Sequence, residues 1–209
     1  MSFPKTTDFL VIGGGVMGVT MALSLKRRHP DCTVTLIEKE PEFGRHASGR
    51  NSGVLHAGFY YTADSLKARF TREGNRRLTE YCLERGLPIN RCGKLVVARD
   101  EGELERLGTL LERGRTNGVE LREVSAEEAR EIEPHARTVG RALYSPTTST
   151  VDPGAVMASL VSDAEAAGVD LRAGVAYLGR EGGAVRTSAG RVEAGYMINA
   201  AGLYADRVA

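Results

Sequence analysis

The feature that most constrains this chain is a turn of glycines, Gly13-Gly14-Gly15-Val16-Met17-Gly18, placed directly after the short apolar run Asp8-Phe9-Leu10-Val11-Ile12. An apolar run that stops at a glycine cluster reads as a buried parallel strand. Beyond the turn, Met17, Met21, Ala22 and Leu25 recur at helical spacing as far as Lys26-Arg27-Arg28. Basic side chains there suit the negative end of the helix dipole, and Pro30 ends the element. A second strand follows over Thr33 to Glu38. Strand, helix and strand within residues 8–38 form one crossover unit, so the chain is expected to be α/β, opening on a Rossmann-type domain with a parallel central sheet.

A GxGxxG match alone is a weak signal, but here it follows a strand, opens a helix, and is followed by Glu38, 20 positions after Gly18, at the end of the next strand. An acidic side chain at that place can bond both hydroxyls of an adenosine ribose. The three glycines have separate tasks: Gly13 permits the tight turn, Gly15 lets a pyrophosphate approach the backbone, and Gly18 allows the helix to pack closely on the strand. The helix N-terminus, with Val16 and Met17, offers N–H groups and a positive dipole end to a diphosphate. Glu38 in place of a basic residue argues against a 2′-phosphate and leaves NAD or FAD.

Charge and composition exclude other classes. The net charge of +1, from 28 basic and 27 acidic residues spread along the chain, offers no footprint for nucleic acid. Cys32, Cys82 and Cys92 lack CxxC or Cys/His spacing, so neither a disulfide framework nor a metal site is expected, and a reduced, cytoplasmic setting follows. The uncharged stretch from Phe9 to Leu25 is broken by four glycines and is not expected to cross a membrane.

Further along, a polar helix is expected from Asp64 or Ser65 to a stop at Gly86, with Leu66, Phe70, Leu78 and Cys82 on its buried face. From Gly93 the texture changes to a strand at 94–98, a helix at 101–115, a strand at Val119-Glu120-Leu121 and a short helix at 126–132. The run 146–150 is expected to be the return crossing, and Asp152-Pro153 the start of a helix reaching about Ala167, with Asp152 as N-cap. Short strands follow near 169–171, 176–178, 184–186 and 195–199, and the chain stops in what reads as an unfinished helix. The expected division is a discontinuous nucleotide-binding domain, 1–85 and 150–209, with 86–149 as part of an α+β substrate domain.

A loop rich in glycine, hydroxyls and amides, Arg45-His46-Ala47-Ser48-Gly49-Arg50-Asn51-Ser52-Gly53-Val54-Leu55-His56-Ala57-Gly58, can lay backbone N–H groups against a second cofactor segment. Here the sequence resembles the D-amino-acid-oxidase-like family of FAD enzymes, which carry an R-x-x-S-G-x-N-S-G run. The stretch from His46 through Tyr60-Tyr61 to Leu78, with Gly93-Lys94-Leu95-Val96, most resembles the L-2-hydroxyglutarate oxidase or dehydrogenase branch. Ile198-Asn199-Ala200-Ala201-Gly202-Leu203-Tyr204-Ala205-Asp206 is similar to that family's second flavin-contacting strand and turn. The resemblance covers the chain but only the N-terminal half of the family's length, which leaves open a fragment that binds FAD poorly or is not catalytic.

What the resemblance implies is FAD as cofactor. It assigns Gly13, Gly15, Gly18 and Glu38 to the ADP half, and Ser48, Arg50, Asn51 and Ser52 to the diphosphate and flavin, with Lys39 and Gly53 as further cofactor-binding candidates. It also puts the Val175 backbone at the adenine, and Ala201 with Gly202 near the flavin. The implied reaction is oxidation of a small-molecule 2-hydroxy acid, L-2-hydroxyglutarate to 2-oxoglutarate, with oxygen, a quinone or a carrier as electron acceptor. A quinone acceptor would bring peripheral membrane association. Amino-acid or amine oxidation, glycerol-3-phosphate oxidation and an NAD-dependent dehydrogenase are the competing readings; the last leaves the loop from Ser48 to Gly58 unexplained.

His56 is the candidate catalytic residue. Moving hydride from a secondary alcohol to a flavin requires a base for the hydroxyl proton, and an imidazole suits that task. A covalent link to the flavin and a spacer role are the alternatives. Tyr60 and Tyr61 are candidate substrate contacts, and Arg50 has the planar fork for a substrate carboxylate as well as for phosphate. His29, His46 and His135 are expected to be solvated.

Overall fold

In a computed structural model, which describes residues 2–209, the chain opens as the glycine turn demands. Strand β1 (Thr6–Ile12) leads through the glycines into helix α1 (Val16–Arg28), and β2 (Val34–Glu38) runs parallel to β1. Alternation on β1 sends Val11 to one face and Leu10 and Ile12 to the other, as strand geometry requires. Every residue of β2 is buried, Thr35 and Glu38 among them, as in a strand covered on both faces.

Residues Ser52–Asp152 form a separate compact unit. It begins with β3 (Val54–Leu55) and α2 (Leu66–Glu84), and α2 is capped by the Ser65 hydroxyl, which accepts from the Ala68 N–H at 3.1 Å. Then come β4 (Ile89–Asn90), β5 (Lys94–Val97), α3 (Glu101–Thr116), β6 (Arg122–Ser125), α4 (Ala126–Ile132), β7 (Arg141–Ser145) and β8 (Ser149–Val151). The strands make two antiparallel sheets, β3-β8-β4 and β5-β7-β6. On the second, Leu143 packs with Leu107 of α3, while Ala142 packs with Val124 and Ala129 on the α4 side.

The rest of the chain returns to the first unit with α5 (Pro153–Ala166), β9 (Asp170–Ala173), β10 (Tyr177–Glu181), β11 (Ala184–Thr187), β12 (Gly190–Asn199) and a 3-10 turn over Gly202–Arg207. Its sheet has the order β10-β11-β12-β1-β2-β9. The four strands β12, β1, β2 and β9 are parallel, and β11 and β10 are antiparallel additions beside β12. One core lies under α1 and α5, built on Val11, Val19, Leu36 and Met157; a second covers the opposite face with Leu10, Ile37, Val185 and Val192. This is the expected α/β architecture with a parallel centre, joined to an α+β unit. Among the described residues no helix is long and apolar enough to cross a membrane.

The differences from the sequence reading have physical causes. Helix α2 was expected in the nucleotide domain, whereas the division falls at Asn51/Ser52, and α2 packs within the second unit. Its buried residues are Ala68, Asn75 and Cys82, two turns apart, while Leu66 and Phe70 are 62% and 61% exposed. Of the four residues expected on its buried face, Cys82 is buried and Leu78 half-buried, so the expectation fails only in the first turns of the helix. No strand forms at Val119-Glu120-Leu121, because the Val119 N–H closes the end of α3 on Gly114 O at 2.8 Å; the strand starts one residue later, at Arg122. The 146–150 run is only partly a crossing, since Ser149–Val151 pairs with both β3 and β4.

Candidate functional site

The carboxyl ends of β1, β2 and β12 meet at Gly13. Its N–H donates to Ile37 O at 2.9 Å, and the Ala200 N–H donates to Ile12 O at 2.8 Å. Gly13 has φ +111°, and a Cβ there would lie 2.4 Å from Ala200 O, so both conformation and space demand glycine. At Gly18 a Cβ would stand 1.8 Å from Gly13 O, so the helix lies directly against the backbone of the glycine turn that follows β1. The Gly14 N–H donates to Glu38 Oε2 at 2.6 Å, and the Glu40 N–H donates to Glu38 Oε1 at 2.9 Å. Glu38 is thus 8% exposed and locked in place by the turn it faces.

Helix α1 starts at Gly15, which has no side chain to cap it. The Ser48 hydroxyl does that from 32 residues away, accepting from the Val16 N–H at 2.8 Å. The first bond back into the helix runs from the Val19 N–H to Gly15 O, so the Met17 and Gly18 N–H groups stay at the positive end of the dipole without acceptors in the preceding turn.

These elements enclose a groove of about 590 Å³ within the first unit. From the first turn it is lined by Gly13, Gly15, Val16 and Met17, and from the end of β2 by Glu38 and Lys39. Ser48, Val175, Ala201 and Gly202 close the remaining sides. Ten of the residues expected to hold a cofactor are therefore brought together. Gly18 does not line the groove. Arg50 and Asn51 do not line it; Arg50 is exposed, and the Asn51 amide donates to Ala47 O and Ser48 O at 3.1 and 3.0 Å, shaping its own loop.

One part of the groove wall has no counterpart among the residues expected from the sequence. His46 is exposed, as expected, and also lines the groove, with its Nε2 3.0 Å from Glu40 Oε1 and its ring edge-on to Tyr204. Lys39 pairs with Glu40, and its ammonium lies 4.7 Å from the Tyr204 ring centre. The hydrogen bond with Glu40 raises the Lys39 pKa above the ordinary lysine value and lowers that of Glu40, with His46 a second cause for the carboxylate. The signal available was position: His46 follows the ribose-strand glutamate within one loop.

The second unit carries the remaining candidates. Ser52 is exposed, and Gly53 is buried, its carbonyl accepting from the Val151 N–H at 2.9 Å. The His56 side chain is exposed, yet partial desolvation, and secondarily the Lys94 ammonium, hold its pKa below the ordinary 6.5. Tyr60 and Tyr61 are both half-buried. The Tyr60 ring lies against Phe59, with centroids 4.2 Å apart, and beneath the Lys94 ammonium at 4.7 Å, while Lys67 covers the Tyr61 ring at 4.4 Å.

Two other residues of this segment went unnoticed in the sequence. Asn75 of α2 and Asn117 after α3 are buried polar side chains whose amides donate to carbonyls of the 55–61 segment. No sequence pattern marks a lone asparagine as such an anchor.

Residues 8–209 match the DAO family, described as FAD dependent oxidoreductase. The chain is 38% identical over 206 residues to an L-2-hydroxyglutarate dehydrogenase of Escherichia coli strain K12, a match covering 96% of this chain and 49% of that protein. It is 36% identical over 214 residues to the mitochondrial L-2-hydroxyglutarate dehydrogenase of Mus musculus, covering 94% and 46%. It thus spans about half the length of the curated relatives it matches. Among solved structures, an L-proline dehydrogenase from P. horikoshii superposes with a TM-score of 0.87 at 26% identity, covering 99% of this chain and 55% of that one. An L-alpha-glycerophosphate oxidase from Mycoplasma pneumoniae with FAD bound superposes with a TM-score of 0.84 at 26% identity, covering 95% and 54%. The chain therefore belongs to the DAO family of FAD dependent oxidoreductases.

Proposed function

We propose that this chain is the FAD-binding portion of an enzyme that oxidises a 2-hydroxy acid, L-2-hydroxyglutarate, to the 2-oxo acid. The observation that carries the reading is the groove at the ends of β1 and β2, where Glu38 and the α1 N-terminus face one cavity. Its volume of about 590 Å³ is within the roughly 300–1,000 Å³ of small-molecule and cofactor sites. The residues fit an adenine dinucleotide: an anchored carboxylate for the ribose hydroxyls, and a backbone free of Cβ atoms at Gly13 and Gly15. The dehydrogenase names of the curated relatives support the substrate class.

FAD, when bound, supplies the hydride acceptor. The chain's own residues do the rest. Glu38 and Lys39 hold the ribose, the Met17 and Gly18 N–H groups meet the diphosphate, and the Val175 backbone meets the adenine. Ser48 stands beside the diphosphate at the start of α1, with Ala201 and Gly202 toward the flavin on the same groove. His56 takes the proton of the substrate 2-hydroxyl onto its free imidazole nitrogen, and its lowered pKa keeps it neutral and ready for that step at neutral pH. Tyr60 and Tyr61 contact the substrate. Electrons leave to oxygen, a quinone or a carrier.

The test is the full-length protein, purified and scanned for visible flavin absorption before and after acid precipitation, then assayed with L-2-hydroxyglutarate, other 2-hydroxy acids, amino acids and glycerol 3-phosphate. Flavin released to the supernatant, with turnover of L-2-hydroxyglutarate above the others, is the expected result. Flavin retained in the pellet and lost in His56→Ala would make His56 a covalent attachment point. Preference for an amine or for glycerol 3-phosphate would overturn the substrate assignment.

A further inference from the structure

Resting on the reading of His56 as the base, we infer that Asn75 is the positioning residue that fixes the His56 backbone. Asn75 lies on α2 between Ala68 and Cys82, and is 9% exposed. Its Nδ2 donates to Leu55 O at 2.9 Å, to Thr147 O at 3.0 Å and to His56 O at 3.3 Å. Three carbonyls can gather only around the nitrogen, so the orientation of the amide is fixed by its surroundings. Two hydrogens serve three acceptors, and the longest contact, to His56 O, shares a hydrogen with a neighbour.

Leu55 is the last residue of β3, and Ala57 and Phe59 are buried, so His56 sits between a strand end and a packed stretch. Asn75 ties its peptide to α2 and to the 146–148 turn at once, while the imidazole stays exposed. A base must stand within hydrogen-bond reach of the proton it takes, and its backbone fixes the arc that the ring can sweep. A residue chosen only to fill this space would be apolar, like the neighbouring Ala68 and Cys82. Asn117 does a parallel task for the aromatic pair: its Nδ2 donates to Gly58 O and Tyr61 O at 3.3 and 3.2 Å, and its Oδ1 accepts from the Asp64 N–H at 3.3 Å. It serves as the comparison variant.

The experiment uses the full-length flavoprotein with Asn75→Ala, His56→Ala, the double variant and Asn117→Ala. Amide hydrogen exchange in the peptide spanning Leu55 to Phe59 is expected to accelerate about tenfold or more in Asn75→Ala, with peptides of α3 unchanged. The kcat is expected to fall about tenfold or more with KM within about twofold, while Asn117→Ala moves KM instead. In the His56→Ala background, Asn75→Ala should cost no further kcat, the non-additivity of residues acting through one another. Unchanged exchange at 55–59, or an equal kcat loss in both backgrounds, overturns the inference. If His56→Ala alone keeps full kcat, the reading of His56 as base fails, and the exchange data still decide whether Asn75 holds the segment. Should Asn75→Ala not accumulate, Asn75→Ser, which keeps an O–H donor in a smaller volume, takes its place with the same readouts.

Discussion

Two glycines show how differently one residue type can act. Gly18 has the carbonyl of Gly13 where its Cβ would be, and backbone cannot yield as a flexible side chain can. Gly18→Ala is expected to cost about 3 kcal/mol or more, seen as a lowered denaturation midpoint with an unchanged slope. Gly74, in the exposed middle of α2, has nothing within 4 Å of its Cβ position. There Gly74→Ala should stabilise by about 0.5–1 kcal/mol in the same measurement, because the unfolded chain loses freedom and the helix gains a better former. An equal response from the two variants would refute the packing account.

His56 is the proposed base. Its pKa lies below 6.5 through desolvation first and Lys94 second, so the neutral form, the one able to take a proton, persists to lower pH. The acid limb of kcat/KM should accordingly fall below pH 6.5, with activity lost as pH drops through the shifted pKa. Lys94→Met removes the cation that disfavours a second positive charge, and should move that limb upward toward 6.5. A limb that stays put would assign the proton transfer to another group.

At the scale of elements, α1 is capped at long range. The Ser48 hydroxyl occupies the Val16 N–H, one of the donors that a helix leaves unmatched at its start. Ser48→Ala is expected to cost about 1 kcal/mol of stability and to weaken FAD binding, measured by thermal unfolding and by flavin titration. Had the capping residue been Gly15's own neighbour in sequence, the motif alone would have revealed it. Helix α4 is the local case: Ser125 and Glu128 form a capping box, its hydroxyl accepting from the Glu128 N–H at 3.2 Å and the Glu128 carboxylate from the Ser125 N–H at 2.6 Å. That element was readable from sequence to the residue, because start and stop signals sit beside it.

For the molecule as a whole, cofactor binding and stability are linked. Ligand that binds only the folded state at about 100 times its Kd adds about 2.7 kcal/mol. Added FAD should raise the melting temperature, and amide protection gained on binding should concentrate at the glycine turn, Glu38–Glu40 and Ala200–Tyr204. Protection appearing only in Ser52–Asp152 would contradict the assignment of the groove.

The sequence by itself determined the opening unit: the strand, the glycine turn with its special φ at Gly13, the helix ending in Lys26-Arg27-Arg28, and Glu38 at the end of the next strand. Those signals are local, since a backbone conformation or a helix dipole acts over a few residues. It also carried the 48–58 loop, whose resemblance to a flavoprotein family matched the family found for the folded chain. Tertiary structure alone decided the rest. The rotation of α2 that buries Asn75 and leaves Leu66 and Phe70 exposed depends on what α2 packs against. The pairing of Ser149–Val151 with two distant strands, the reach of Ser48 to α1 and the place of His46 beside Tyr204 are likewise meetings of residues far apart in the chain. Such contacts are fixed by the packing that buries them, and no short stretch of sequence records its partner.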